Sequence, residues 1–111
     1  MVHYLGFGIL INGPQYFTHP SGIAIDSKDN VFVVDFGNTN YATKEFDKNG
    51  AFNRSFGSFG LGPGKFINPG GLGVDPENSM YTTNFGYNNN VQKFQQRREL
   101  FDNLWIIWKR K

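Results

Sequence analysis

Cysteine is absent from this chain of 111 residues, and histidine occurs only twice. The absence of cysteine excludes disulfide bonds, thiolate zinc sites and a cysteine nucleophile. No run of about 18 apolar residues occurs, so no segment is long enough to span a bilayer as a helix. The first apolar run, residues 4–11, has no basic segment before it and no cleavage pattern after it. We therefore expect no signal peptide and, by default, a cytoplasmic location.

Charge is sparse and unevenly distributed along the chain. The segment from Gln92 onwards contains six basic and two acidic side chains, whereas the residues before it contain five basic and seven acidic ones. A basic end can contact nucleic acid or anionic lipid, although most such ends are only solvated. We take six basic or aromatic side chains of this end as candidate partner contacts: Arg97, Arg98, Trp105, Trp108, Lys109 and Arg110.

The chain does contain an internal repeat with a period of 49 residues. The recurring pairs are Pro20 and Pro69, Gly22 and Gly71, Asp26 and Asp75, and Gly37 and Gly86, while Asp35 recurs as Asn84. Residues that recur at the same place in each copy usually serve the repeat itself. We therefore assign these residues structural roles, with the two repeated aspartates as acceptors at strand ends.

One copy of the repeat contains four short runs of β-forming residues, at 22–26, 31–35, 41–46 and 52–56. Turn residues separate the runs, as in a meander of hairpin-linked strands. Four short strands in a period of 40 to 50 residues are typical of a β-propeller blade. The sequence therefore predicts an all-β fold of four-stranded antiparallel blades.

Residues 20–26 (PSGIAID), followed by VFVVD at 31–35, resemble the opening of an NHL repeat. Residues 69–75 (PGGLGVD) and 90–94 (NVQKF) resemble the same motif a second time. The resemblance implies a six-bladed type of propeller, of which this chain has about two blades. One departure is that Asn90 stands near the place where the family usually has an arginine.

The resemblance divides the chain into four parts: a remnant of a preceding blade and linker at 1–16, a first blade at 17–65, a second blade at 66–94, and a divergent basic and aromatic tail at 95–111. Two blades form an incomplete propeller, since closed rings have roughly four to eight. We expect the chain to be part of a longer propeller. An alternative is self-association, in which three copies would close a ring of six blades.

The tail has two interpretations. In the register of the repeat, Phe101 and Trp105 correspond to Phe52 and Phe56 and would occupy a strand. The apolar residues from Leu100 to Trp108 also recur near helical spacing, which favours a short amphipathic helix. The sequence leaves strand and helix open.

Candidate sites for chemistry are weak. His19 interrupts the repeat and is a conceivable metal ligand, but a single loop histidine is more often exposed. The glycine-rich segment 57–65 lacks the following helix that a phosphate loop needs, so we interpret it as an interblade linker. We predict no catalytic, cofactor or metal site.

The predicted function is a binding scaffold that recognises a protein or, with less support, RNA. This function is implied by the NHL resemblance, because related propellers recognise proteins or RNA through their loops. The alternative is part of a propeller enzyme, a metal-dependent lyase or hydrolase, whose site would be completed by other blades. We do not expect an enzyme.

Overall fold

Two four-stranded antiparallel sheets, one from each repeat, dominate the computed structural model, which describes residues 17–36, 42–85, 89–96 and 104–110. The first sheet has the order β1-β2-β3-β4, formed by β1 (Pro20–Ile25), β2 (Val31–Asp35), β3 (Ala42–Phe46) and β4 (Phe52–Phe56). The predicted all-β fold of an incomplete propeller is confirmed. In the part of the chain that the structure describes, no helix is long and apolar enough to cross a membrane.

The linker between the repeats forms a small sheet of its own. Its two strands, β5 (Ser58–Phe59) and β6 (Lys65–Phe66), pair in parallel. Glycines with positive φ angles make the tight path between them, with φ of 103° at Gly62 and 76° at Gly64. Strand β6 is followed by another strand, in agreement with a linker and not a phosphate loop.

The second sheet repeats the meander. It has the order β10-β9-β8-β7, formed by β7 (Pro69–Val74), β8 (Met80–Asn84), β9 (Asn90–Gln96) and β10 (Leu104–Arg110). The fourth strand comes from the tail. Of the two predicted alternatives for this segment, the structure therefore has the strand, because Leu104–Arg110 completes the sheet beside β9.

The strand pairing shows that the offset of 49 residues between the repeats is not constant. Val31 lies opposite Phe46 in the first sheet, whereas Met80 lies opposite Phe94 in the second. The connection between the second and third strands is thus one residue shorter in the second repeat, and VQKF at 91–94 is equivalent to TKEF at 43–46. Lys44 therefore occupies the position of Gln92.

The fourth strands differ more. Ser55 lies opposite Lys44, and Trp108 lies opposite Gln92. The predicted equivalence of Trp105 to Phe56 is therefore wrong. The reason is the longer stretch of chain between β9 and β10, residues 97–103, compared with residues 47–51 between β3 and β4.

The hydrophobic core lies between the two sheets. Strand β2 contributes Phe32 and Val34, and the second sheet contributes Met80 and Phe94. Phe66 of the linker is fully buried among them, and Phe56, Leu72 and Val74 pack at the margin. Each sheet is thus stabilised by its neighbour, as in consecutive propeller blades.

Candidate interaction surface

The strands of each sheet end at two opposite sides of the sheet, and these two sides carry different residues. The edge formed by the β1–β2, β3–β4 and β7–β8 turns is here called the turn edge. The opposite edge, formed by residues 18–19, the linker 57–68 and the residues after β2 and β8, is called the linker edge.

Three aspartates build the turns of the turn edge. One carboxylate oxygen of Asp26 accepts hydrogen bonds from the backbone nitrogens of Lys28 and Asn30, each at 2.9 Å. Asp75 accepts in the same way from Glu77 N at 2.9 Å and Ser79 N at 3.0 Å. Asp47 makes the third such turn, with Asn49 and Ala51. These side chains hold the backbone in tight turns, which is what the repeat requires of them.

The pKa of Asp75 lies below its ordinary value of 3.8, mainly because the backbone N–H of Ser79 donates to the carboxylate. The Tyr81 hydroxyl also donates to it, at 3.0 Å. A carboxylate stabilised in the folded state contributes stability above its unfolded pKa, and this contribution is lost as the pH falls through the folded pKa.

This pKa predicts an acid-sensitive contribution to folding from Asp75. We expect the urea midpoint of the wild type to fall more between about pH 5 and pH 2.5 than that of Asp75→Asn, whose amide oxygen still accepts the turn hydrogen bonds. Urea unfolding followed by circular dichroism at both pH values measures the difference. Equal losses in the two proteins would contradict the assignment.

Two hydrogen-bonded clips join the sheets. At the turn edge, Asn78 Oδ1 accepts from Ser27 N at 3.0 Å, and Asn78 Nδ2 donates to Ser27 Oγ at 2.8 Å. At the innermost strands, Ser21 Oγ donates to the carbonyl oxygen of Pro69 at 2.9 Å. Gly22 and Gly71 allow this approach, because a Cβ on Gly22 would lie 3.2 Å from the Gly71 Cα. The repeated glycine is thus required by close packing of the two sheets.

A buried ion pair lies inside the first repeat. Lys44 Nζ is 3.5 Å from Asp35 Oδ2, and both side chains are almost completely buried. The Asp35 carboxylate also accepts from the backbone nitrogens of Thr18 and His19, the latter at 2.7 Å. Burial lowers the pKa of Lys44, and the neighbouring Asp35 opposes this shift. The repeat predicts a structural role for Asp35 but does not indicate its lysine partner.

Gln92, at the position equivalent to Lys44, makes different contacts. Its Oε1 accepts from Gly64 N at 2.6 Å, and its Nε2 donates to the Lys65 carbonyl oxygen at 2.9 Å. The side chain is fully buried. Gln92 therefore anchors the interblade linker to the second sheet, a role that the sequence does not indicate.

The linker edge carries exposed apolar side chains. Phe85 is 60% exposed, and its ring lies against Gly70. Phe59 and Leu61 of the linker are also exposed, at 59% and 62%. Phe36, the equivalent of Phe85, is half-buried and stacks on the exposed His19, with 5.4 Å between the ring centroids. This set, Phe36, Phe59, Leu61 and Phe85, is here called the linker-edge apolar set.

Backbone hydrogen bonds hold the two repeated phenylalanines in the same way. Phe36 N donates to the His19 carbonyl oxygen and Phe85 N to that of Asn68, each at 3.2 Å. The recurrence of phenylalanine after the second strand, at an offset of 49 residues, is a signal in the sequence that could have identified them.

The other predicted site residues are distributed as follows. Pro20 and Pro69 begin the innermost strands β1 and β7. Gly37, Gly86, Arg97 and Arg98 lie outside the described residues. Trp105, Trp108, Lys109 and Arg110 lie on β10, and their side chains are outside the described part of the chain. The tail contacts therefore remain predictions.

Side chains suited to metal chemistry do not converge in the described ranges, where no group of three His, Cys, Asp or Glu is close enough to hold an ion. A shallow cleft between the sheets at the turn edge is lined by Asp26, Arg54 and Asn78, with the core residues Phe32, Phe56, Met80 and Phe94 at its base. The Arg54 Nε in this cleft is 2.6 Å from Glu45 Oε1.

Comparison with known families agrees with this architecture. Residues 17–39, which include β1 and β2, match the NHL repeat. A comparison with curated proteins gave no match. Residues 17–39 thus match an NHL repeat, and the two four-stranded sheets of the chain have the architecture of an incomplete propeller.

Proposed function

We propose that the chain is a non-catalytic scaffold that recognises a protein partner through the linker-edge apolar set. The observation that carries the proposal is the exposure of Phe85, a large aromatic side chain held in place by the backbone yet left 60% open to solvent. Exposed apolar groups on a rigid framework are typical of protein-binding surfaces, and aromatic side chains are enriched among residues that dominate binding energy.

The position of the set supports the same proposal. Its members lie at the ends of strands and in the linker, where a propeller presents side chains from successive blades together. Phe36 comes from the first repeat, Phe85 from the second, and Phe59 and Leu61 from the segment between them. A partner seated on this edge would therefore contact both blades.

Protein is favoured over RNA because of the charge at this edge. The linker lysine, Lys65, donates to Ser58 Oγ at 3.1 Å, and the members of the linker-edge apolar set are uncharged. Nucleic acid binding draws most of its affinity from cationic contacts to phosphate. The alternative of a propeller enzyme completed by other blades stays a prediction that no observation of the described residues favours.

The proposal predicts that Phe85→Ser loses partner binding. We expect the immobilised wild-type chain to retain specific proteins from a cell extract after nuclease treatment, and Phe85→Ser to retain at least about tenfold less, since one buried aromatic anchor commonly contributes 2 kcal/mol or more. The readout is quantitative mass spectrometry of the retained proteins.

The matched control is Lys48→Ser, an exposed residue of the turn edge. It should retain the same proteins as the wild type. Retention that is equal in Phe85→Ser and the wild type would overturn the proposed surface. Retention that disappears on nuclease treatment would instead indicate RNA recognition.

A further inference from the structure

The first sheet leaves part of one face uncovered. Val33 and Phe46 lie on the face that points away from the second sheet and are buried. Ile23 and Ile25 of β1 lie on the same face and form its uncovered part. Their exposed fractions are 64% and 58%. The equivalent residues of the second repeat, Leu72 and Val74, instead pack against the interblade core. We call the face with Ile23 and Ile25 the open upstream face.

The covering partner is visible within the chain itself. Leu72 and Val74 are covered by the opposite face of the first sheet, which presents Phe32 and Val34 from β2. Thr43 and Phe56 lie on that same covering face, since Thr43 is paired with both Val34 and Phe56 in the strand register. The open upstream face therefore fits a surface with the shape of this covering face.

The second sheet carries such a surface on its outer side. Tyr81 stands in place of Phe32, Thr83 in place of Val34, and Val91 in place of Thr43. These three replacements keep the shape of the side chain, because tyrosine adds a hydroxyl to the same ring and threonine and valine have the same branching. At the fourth position a lysine replaces a phenylalanine, since Lys109 lies opposite Val91 where Phe56 lies opposite Thr43. Thr83 is exposed and Val91 is 41% exposed. We call this the open downstream face.

We propose that the open upstream face of one chain binds the open downstream face of a second copy of this chain. The contact reproduces the interface between the two blades of a single copy, and it is head-to-tail. Each copy then uses one face of each kind, so successive copies continue until the ring closes. Propellers of four to eight blades correspond to about two to four copies, with three copies giving six blades.

The contact between copies differs from the internal one in its polar groups. Gly70 and Pro76 stand where Ser21 and Ser27 make the two interblade clips, so those hydrogen bonds are missing. Each such bond contributes about 1 kcal/mol. Lys93 replaces Glu45 on the downstream face, and Asp29 replaces Asn78 beside the upstream face. The downstream face thus carries a positive charge, Lys93, and the upstream face has a negative charge beside it, Asp29. We expect the contact between copies to be weaker than the internal one, so association should depend on protein concentration.

Light scattering during size-exclusion chromatography, over a range of protein concentrations, tests the proposal. The wild type should approach about three times its monomer mass of 12.6 kDa at high concentration. Ile23→Asp and Val91→Asp each destroy one face at an exposed position, so each should remain a monomer with an unchanged circular dichroism spectrum. Phe59→Ser, at the linker edge, should associate like the wild type.

Mixing the two monomeric variants gives the sharpest result. Ile23→Asp keeps its downstream face and Val91→Asp keeps its upstream face, so an equimolar mixture should form a dimer that cannot grow further. A wild type that is monomeric at every concentration would overturn the proposal. Association of Ile23→Asp alone, or a mixture that stays monomeric while the wild type associates, would overturn it as well. These outcomes are independent of partner capture at the linker edge.

Discussion

Replacing Asp35 with alanine is expected to lower the free energy of unfolding by about 3–5 kcal/mol. The substitution removes the carboxylate from the buried ammonium of Lys44, 3.5 Å away, and removes the acceptor of the Thr18 and His19 backbone N–H groups. A buried charge that loses its partner keeps its desolvation penalty without the compensating attraction. Urea unfolding followed by circular dichroism measures the loss.

The second repeat supplies a matched comparison for this ion pair. It has Asn84 at the position of Asp35 and Gln92 at the position of Lys44, so neither of the equivalent positions is charged. The double variant Asp35→Asn with Lys44→Gln should therefore lose no more than about 1.5 kcal/mol, because no buried charge remains. A loss of less than about 1 kcal/mol for Asp35→Ala would contradict a buried pair.

Replacing Phe66 with alanine is expected to cost about 3–5 kcal/mol. Phe66 belongs to the linker and is fully buried, with its ring centroid 6.1 Å from that of Phe94. Its ring also lies against Gly57, where an added Cβ would be 2.5 Å from the nearest ring carbon. The cavity left by the ring would loosen the core that both sheets share, so a single unfolding transition should shift as a whole.

The control for this substitution lies on the same small sheet. Phe59 is the strand partner of Phe66 but is 59% exposed, so Phe59→Ala should change the free energy of unfolding by no more than about 0.5 kcal/mol. Similar losses for the two alanine variants would show that Phe66 is not the residue that joins the sheets. Two separate transitions in Phe66→Ala would show that each sheet unfolds independently.

Much of the fold could be predicted from local chemistry. Each of the four β-type runs of the first repeat became a strand, because apolar and β-branched residues alternate there with turn residues that close hairpins. The turn roles of Asp26 and Asp75 agree with their hydrogen bonds. Such features depend on residues two to four positions apart, which a single sequence displays directly.

The features that sequence reasoning missed depend on distant partners. Lys44 looks like a surface residue of a strand until the strand pairing places it diagonally opposite Asp35 on the same face of the sheet. Gln92 contacts a linker nearly thirty residues earlier, and nothing near Gln92 in the chain indicates this. The offset between the repeats changes from 49 to 48 residues at β3 and β9, because the connections before these strands differ in length. Only the strand pairing reveals this change.

The candidate interaction surface could be predicted only in part from the sequence. The charge and the tryptophans of the tail favoured it as a binding surface, whereas the exposed phenylalanines of the described residues, Phe59 and Phe85, lie at the linker edge. Phe36 and Phe85 were available as a repeated pair, but a repeated aromatic residue is equally typical of a core. Only the burial of Phe32 and Phe94 beside the exposure of Phe85 separates the two roles.

The packing of the two sheets as consecutive blades around one shared core is tested most directly at Met80. The chain has two methionines, and Met80 is buried between the sheets, with Phe32 of the first repeat in the same cluster. In a sample labelled with carbon-13 at the methionine methyl groups, with Met80→Leu for assignment, nuclear Overhauser effects should connect the Met80 methyl to the ring protons of Phe32 or Phe56. Contacts to Phe94 alone, with none to the first sheet, would contradict the account.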